Sequence, residues 1–239
     1  KMVIVTVNSS VPALIHMMSK WPDMMAFTND LFTKTGVGIQ SFSVSNQPLD
    51  EWMTHHQRYK DIQHLIEQDP LKPDTAISRM EKNRNIFAVT MVNGLKMAQE
   101  LIFEQIGQHG FKKGMKISAQ SEGTVRLLNL IPAMYDAIKH EKVVIVDEID
   151  NSIHPKLLFS LIQFFSATET KGQLIFTTHS SILINQQTLL RPDEIWLVEK
   201  EQGCSSLYSI NDFKIHNTIN LENGYLDGRY GGVPLLEEM

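Results

Sequence analysis

Hydrophobic and polar positions follow the most regular pattern in the second half of the chain. Four consecutive β-branched apolar residues, Val143–Val146, predict a strand buried on both faces, as in a parallel sheet covered by helices. Helices are predicted over residues 122–139 and 155–165, and further short strands over residues 173–177 and 195–198. Strands that alternate with helices predict a parallel sheet with right-handed crossovers.

The first half of the chain predicts mostly helices. Helices are expected from Pro22 to about Thr33, from Leu49 to about Glu67 and over residues 94–106, and strands over residues 2–7 and 37–44. Residues 86–92 fit either a strand or part of a helix. The pattern therefore favours an α/β fold with a largely helical first half.

Net charge and cysteine content narrow the class of protein. The formal net charge is −5 at pH 7, so the average surface gives no electrostatic argument for nucleic-acid binding. Lys112, Lys113 and Lys116 form a basic cluster, which a solvated turn explains better than a nucleic-acid site.

The single cysteine, Cys204, excludes an internal disulfide and fits a reducing compartment. No apolar run approaches the roughly 20 residues that span a bilayer, so we expect a cytoplasmic protein without membrane association.

Two adjacent carboxylates, Asp147 and Glu148, directly follow the strand Val143–Val146. Ligands bind at the carboxyl ends of strands in open α/β sheets. There one carboxylate can hold a metal ion while its neighbour orients or deprotonates a water. The competing interpretation is an exposed Asp-Glu pair that simply leaves a core strand, because acidic residues are mostly exposed.

Two further segments flank this pair. Ser121 can cap a helix that begins at Glu122, and the amides at that helix end can form an anion site. His179 follows the next apolar strand, where its imidazole can donate to a phosphate oxygen. Taken alone, a plain N-cap and a histidine bonded to backbone would explain these two segments. Their joint order, on either side of the Asp-Glu strand, favours a phosphate site.

These segments resemble the carboxyl-terminal half of an ABC-type ATPase head, and they are most similar to the RloA-like and OLD-like AAA ATPases of restriction and phage-defence loci. The matching residues are Ser121-Glu122-Gly123-Thr124-Val125-Arg126-Leu127-Leu128, residues 143–155, Thr177-Thr178-His179-Ser180 and residues 224–234. The resemblance implies an α/β fold with a parallel-sheet core of the P-loop NTPase type over residues 117–239. Residues 1–116 would hold the end of the amino-terminal lobe and a mainly helical insertion.

The resemblance also implies roles for single residues, with ATP and Mg²⁺ as cofactors. Asp147 would be the metal-shell carboxylate of the Walker B motif, Glu148 the catalytic base and His179 the switch histidine. Ser121 and Gly123 would belong to the signature motif, which in ABC dimers contacts the nucleotide of the partner subunit.

Two residues in the loop after Glu148, Asn151 and Ser152, would lie in the D-loop, which crosses the dimer interface. The match also has departures. Glu122 and Thr124 stand where transporter signatures have glycine and glutamine, and His154 replaces the usual D-loop aspartate.

The largest departure is that no G-x-x-x-x-G-K-[ST] sequence occurs in the chain. Residues 107–114 and 228–232 are rich in glycine, but neither has the strand before it and the Lys-Ser/Thr end of a P-loop. We therefore expect the lobe with the P-loop to lie outside this chain, and the chain alone to be inactive. A degenerate protein that never had a P-loop is the alternative.

Three functions follow from the resemblance. The first is an ATP-hydrolysing head that forms a dimer or higher homo-oligomer and gates an effector, such as a nuclease, in antiphage defence. The second is a DNA-repair ATPase of the SMC or recombination type, which long coiled-coil heptads would favour; nucleic acid is otherwise not indicated. The third is a regulatory scaffold that does not hydrolyse ATP.

Overall fold

The structure, a computed structural model, describes residues 1–6, 14–68, 71–72, 74–82, 84–107, 110–185, 189–213 and 220–233. The chain divides into two units, Lys1–Thr177 and Thr178–Met239. The regular elements of the first unit are, in chain order, β1 (Met2–Val5), α1 (Leu14–Lys20), α2 (Pro22–Thr35), β2 (Ile39–Pro48), α3 (Leu49–His55), α4 (Lys60–Gln68), β3 (Ala76–Glu81), β4 (Arg84–Val92), β5 (Leu95–Ile106), β6 (Lys112–Lys116), α5 (Glu122–Lys139), β7 (Val143–Val146), α6 (Pro155–Ser166) and β8 (Gln173–Phe176).

A parallel sheet with the order β1-β7-β8 forms the centre of the first unit. Val144 and Val146, on the middle strand, are buried, and α5 packs against that strand. α5 has the bounds that its apolar spacing predicts, and it continues through Pro132. The predicted α/β core with a parallel sheet is confirmed.

The other face of this parallel sheet carries exposed apolar side chains. Ile4 pairs with Ile145, and Ile145 pairs with Ile175, so the three side chains share one face. Ile4 is 60% exposed and Ile175 is 52% exposed. Parallel sheets are normally covered on both faces. Among the described residues, this sheet is therefore well covered on one face only.

An antiparallel sheet fills most of the region in which the sequence predicts helices. Its strands have the order β2-β5-β4-β3, and β6 also pairs with β5. Trp52, Tyr59 and Phe87 belong to a core cluster on one face of the sheet. Phe42 and Phe103 pack edge to face on the opposite side of the sheet. Aromatic side chains therefore pack on both faces of this sheet.

The prediction of a mainly helical insertion is therefore wrong, and so is the predicted helix over residues 94–106, which form β5. The cause is burial on both faces. β5 pairs with β2, β4 and β6, and residues 98–101 are buried in succession, so the strand shows no alternation of apolar and polar positions. Its leucine, methionine, alanine, glutamine and glutamate also favour helix as isolated residues. Tertiary pairing overrides both local signals.

The second unit contains a hairpin of β9 (Trp196–Glu201) and β10 (Cys204–Ser209), followed by α7 (Leu221–Leu226). Leu197 packs in a core with Ile210 and Leu221. The side chains of Trp196, Val198 and Leu207 are 55%, 63% and 63% exposed. Leu207 pairs with Val198, so this hairpin also presents an apolar face to solvent.

The two units do not follow the predicted division between residues 116 and 117. That division stays a prediction about motifs, and it coincides with the end of β6 at Lys116. No helix among the described residues is long and apolar enough to cross a membrane.

Candidate functional site

The carboxyl end of β7 carries the two predicted acidic residues in a defined hydrogen-bond arrangement. Thr177 Oγ1 donates to Asp147 Oδ1 at 2.7 Å. Thr177 Oγ1 also accepts from the Glu148 amide at 2.8 Å. Thr177 directly follows β8, the neighbouring strand. The hydroxyl of Thr177 therefore fixes one carboxylate oxygen of Asp147 and the backbone of Glu148 at the same sheet edge.

Backbone bonds hold the turn that follows β7. The Asp147 amide donates to the Val5 carbonyl at 2.8 Å, and the Ile149 amide donates to the Thr177 carbonyl at 3.0 Å. Glu148 itself has φ 47°, in the left-handed region that non-glycine residues rarely adopt. Such conformations persist where surrounding structure enforces them, and they are enriched at active sites. The chain thus turns at Glu148, directly after Asp147.

The predicted signature residues begin α5. Ser121 caps this helix, since its Oγ accepts from the Thr124 amide at 3.2 Å and lies 2.8 Å from Thr124 Oγ1. Gly123 lies against the loop that follows Glu148. A Cβ added at Gly123 would come 2.7 Å from the carbonyl oxygen of Ser152, which is closer than real Cβ contacts allow. The fold thus brings the signature segment and the predicted D-loop into backbone contact.

The predicted D-loop residues form a tight turn between β7 and α6. The Asn151 amide donates to the Glu148 carbonyl at 3.1 Å, and Ser152 Oγ donates to Asn151 Oδ1 at 3.1 Å. Ser152 has φ 60°. His154, the departure from the usual aspartate, caps α6 by accepting from the Lys156 amide at its Nδ1, 3.2 Å away. An imidazole thus takes the capping role that an aspartate could fill at a helix start.

A buried arginine on α5 lies beneath this site, and sequence reasoning did not single it out. Arg126 is 7% exposed. Its Nη1 donates to the Thr6 carbonyl at 3.2 Å, and its Nη2 donates to the Glu148 carbonyl at 3.5 Å. Burial lowers the pKa of the Arg126 guanidinium, while the negative charge of Glu148 opposes that shift. An arginine within an apolar helical stretch was the only available sequence signal.

A second arginine, Arg84, links the antiparallel sheet to the start of α5. Its Nη2 lies 2.5 Å from Glu122 Oε1, and its Nη1 donates to the Ser118 carbonyl at 3.1 Å. Glu122 occupies the second signature position. Its carboxylate is therefore paired with a cation from a strand that lies far away in the sequence, which no local pattern indicates.

His179 belongs to the second unit, where it is exposed and lies outside regular secondary structure. The neighbouring Thr178 Oγ1 accepts from the Ser180 amide at 3.0 Å. Asp147, Glu148, Ser121, Gly123, Asn151 and Ser152 all lie in the first unit. The structure thus brings six of the seven predicted residues together in one unit, and the role of His179 beside them stays a prediction.

The donor set decides which metal the site could hold. No group of three or more His, Cys, Asp or Glu side chains within the described ranges could form a metal site on its own. Mg²⁺ typically binds one or two carboxylates and completes its shell with waters and substrate phosphates. The pair Asp147 and Thr177 therefore fits Mg²⁺ that arrives with a nucleotide, and does not fit a metal caged by protein alone.

Comparisons with known proteins identify the family of the chain. No curated protein is significantly similar to the chain. A solved structure from work on ATP-driven dimerization and DNA-stimulated activation of SMC ATPases is 14% identical, covers 82% of this chain and 88% of that chain, and has a TM-score of 0.45. A family model described as "AAA domain, putative AbiEii toxin, Type IV TA system" matches residues 41–185, more than half of the chain, including every predicted site residue. The chain belongs to this family of AAA ATPase domains.

Proposed function

We propose that the chain is the signature and Walker B part of an ABC-type ATPase head of the RloA-like and OLD-like group. The head binds and hydrolyses ATP, dimerises on nucleotide and gates a partner effector, such as a nuclease, in cytoplasmic antiphage defence. One observation carries the proposal: Thr177 joins Asp147 and Glu148 at the end of a parallel sheet, in the unit where Gly123 contacts Ser152.

Each residue of the sheet edge has a separate task in this proposal. Asp147 holds Mg²⁺, which neutralises phosphate charge when it is bound. Thr177 fixes one oxygen of that carboxylate through its hydroxyl. Glu148 orients the attacking water and accepts its proton. This role requires a carboxylate that lies close to the metal ion but does not bind it. His179 donates to the γ-phosphate.

The start of α5 serves the nucleotide of the partner subunit. α5 is 18 residues long, and its first backbone amides form the positive end of the helix dipole at Ser121. A helix start of this kind binds phosphate readily. The contact between Gly123 and Ser152 supports a common surface for signature and D-loop, which an interface closed by nucleotide requires.

Exposed apolar surface supports a further lobe that carries the P-loop. The three-stranded parallel sheet leaves Ile4 and Ile175 exposed on one face. The hairpin of the second unit independently leaves Trp196 and Val198 exposed. Exposed apolar patches mark interaction sites. We propose that a P-loop lobe from outside these 239 residues covers such surface and supplies the phosphate cradle.

An effector-gating head is favoured over a DNA clamp with a coiled coil. The longest described helix before the signature segment is α2, with 14 residues, and the rest of that region is largely antiparallel sheet. Coiled coils require heptads sustained over much longer helices. The family description also names a putative AbiEii toxin and a type IV TA system, and no coiled coil.

The proposal is tested by trapping ATP on the full-length protein. Glu148→Gln is expected to bind Mg-ATP and to retain it unhydrolysed, with turnover lowered about 10²–10⁴-fold. Glu141→Gln is the matched control, because Glu141 is an exposed glutamate before the opposite end of the same strand. Turnover of Glu148→Gln equal to that of the control would reject the assignment.

A further inference from the structure

Arg126 is a buried cation that the proposed chemistry does not use. Burying a charge is costly unless it is paired and hydrogen-bonded, and well-packed apolar residues often replace buried ions without loss of stability. Arg126 lies five residues after Ser121 on α5. Most of its neighbours on this helix are apolar and buried. A buried charge at this position points to a role beyond packing.

The contacts of Arg126 lead from α5 to the backbone of Glu148. Nη2 donates to the Glu148 carbonyl, and Nη1 donates to the Thr6 carbonyl after β1. The Glu148 carbonyl also accepts from the Asn151 amide in the D-loop. One carbonyl oxygen is thus the common acceptor for a side chain of the signature helix and for the backbone of the D-loop.

Glu148 requires such support, because its φ of 47° is unfavourable for a residue with a side chain. The bond from Arg126 to its carbonyl helps to hold this conformation. A small displacement of α5 would change the length of that bond and the orientation of Glu148. Packed helices move as rigid bodies, so a displacement at Ser121 is transmitted to Arg126.

We infer that Arg126 is a positioning residue that couples the two composite ATP sites of a dimer. This inference rests on the proposed function, in which Ser121 faces the nucleotide of the partner subunit and Glu148 faces the nucleotide of its own. Engagement of Ser121 at one site shifts α5, and Arg126 transmits that shift to Glu148 at the other site. ATP hydrolysis is then cooperative between the sites.

The test uses Arg126→Met and Arg126→Lys in the full-length protein. Turnover is measured per trapped nucleotide, together with the Hill coefficient for ATP and the melting temperature. Arg126→Met is expected to lower turnover per bound nucleotide about 10- to 100-fold, as loss of a supporting residue around a metal site does, and to bring the Hill coefficient to one. Arg126→Lys keeps the charge and one donor, and should restore part of both.

Arg79→Met is the matched control, since Arg79 is a partly exposed arginine that pairs with Asp61 at 2.9 Å. It should behave like the wild type.

If Arg126 is only structural, Arg126→Met and Arg126→Lys will lower the melting temperature and the amount of nucleotide bound, while turnover per bound nucleotide and cooperativity stay unchanged. That result, or non-cooperative hydrolysis by the wild type, overturns the inference. Wild-type turnover that does not depend on Glu148 refutes the proposed function itself. If Arg126→Met does not fold, the lysine variant alone decides between these outcomes.

Discussion

The carbonyl oxygen of Ser152 lies so close to Gly123 that a Cβ at position 123 would approach it to 2.7 Å. The neighbour is backbone, so it cannot rotate away as a flexible side chain would. This contact joins the signature segment on α5 directly to the loop after β7. It makes position 123 a direct test of whether these two segments act together.

Gly123→Ala is expected to force α5 and the D-loop apart. Overpacking of this kind costs about 1–3 kcal/mol of stability. ATP-dependent dimerisation should weaken by more than this loss of stability alone explains. Gly107→Ala is the control, because a Cβ there would meet only the Phe111 carbonyl at an ordinary 3.5 Å. Light scattering with and without Mg-ATP measures the dimer. Equal dimerisation of the two variants would contradict a shared surface.

Thr177→Val keeps the shape of the side chain but removes its hydroxyl. Asp147 then loses a donor and the Glu148 amide loses an acceptor. We expect turnover to fall about 10- to 100-fold, as for other residues that orient metal ligands, with a stability loss of less than about 2 kcal/mol. Thr168→Val, which removes a hydroxyl bonded to the Phe164 carbonyl at the end of α6, is the comparison. Similar turnover in both variants would remove Thr177 from the site.

Stability at extreme pH depends on the buried Tyr135 and its hydrogen bond to Asp23. This bond raises the pKa of Tyr135 from 10.0 to about 12 and lowers the pKa of Asp23 below 3.8. The Tyr135 contribution is present below pH 10 and is lost as pH rises from 10 towards 12. The Asp23 contribution is present above pH 3.8 and is lost as pH falls below that value.

Tyr135→Phe should therefore show a smaller difference in melting temperature between pH 9 and pH 12 than the wild type, because the variant lacks the titration of Tyr135. Thermal unfolding followed by circular dichroism measures the profiles. Parallel profiles for wild type and Tyr135→Phe would show that this bond contributes nothing to the pH dependence.

This chain without a P-loop lobe should bind Mg-ATP only weakly. The β- and γ-phosphates lack the amide cradle and lysine of a P-loop, and the helix start at Ser121 offers few donors. Isothermal titration of the chain with Mg-ATP measures this affinity. A dissociation constant in the micromolar range would mean that the chain has a phosphate site of its own.

The sequence predicts the elements around the candidate site better than it predicts the first half of the fold. α5 and β7 follow from local periodicity and from four β-branched residues in a row, so their bounds are predicted correctly. The prediction of a helix for the residues of β5 is wrong, because pairing on both edges and burial on both faces remove the alternation that marks a strand. The Asp-Glu pair is visible because it directly follows such a clear strand.

The contacts that support the site could not be predicted. Thr177 reaches Asp147 only because Phe176 pairs with Val146 in the sheet register. Arg126 reaches the Glu148 carbonyl across the interface between α5 and the sheet edge, 22 positions apart in sequence. Contacts of this kind depend on packing between elements, which single-sequence patterns do not contain.

The central claim is that Ser121 completes the ATP site of the partner subunit. In the structure Ser121 is a helix cap, and its loss as a cap alone would cost about 1 kcal/mol of stability. Full-length Ser121→Arg and full-length Glu148→Gln should each be inactive alone, because every dimer then has one lesion in each of its two sites.

The deciding measurement is ATP hydrolysis after the two inactive proteins are mixed. A mixed dimer places both lesions in one composite site and leaves the other intact, so the account predicts that hydrolysis returns and is greatest at an equal ratio. Mixed dimers are quantified by two affinity tags on the same sample. Demonstrated mixed dimers without any hydrolysis, at every ratio, would contradict this account: Ser121 would then act within its own subunit, or both sites would have to hydrolyse ATP together.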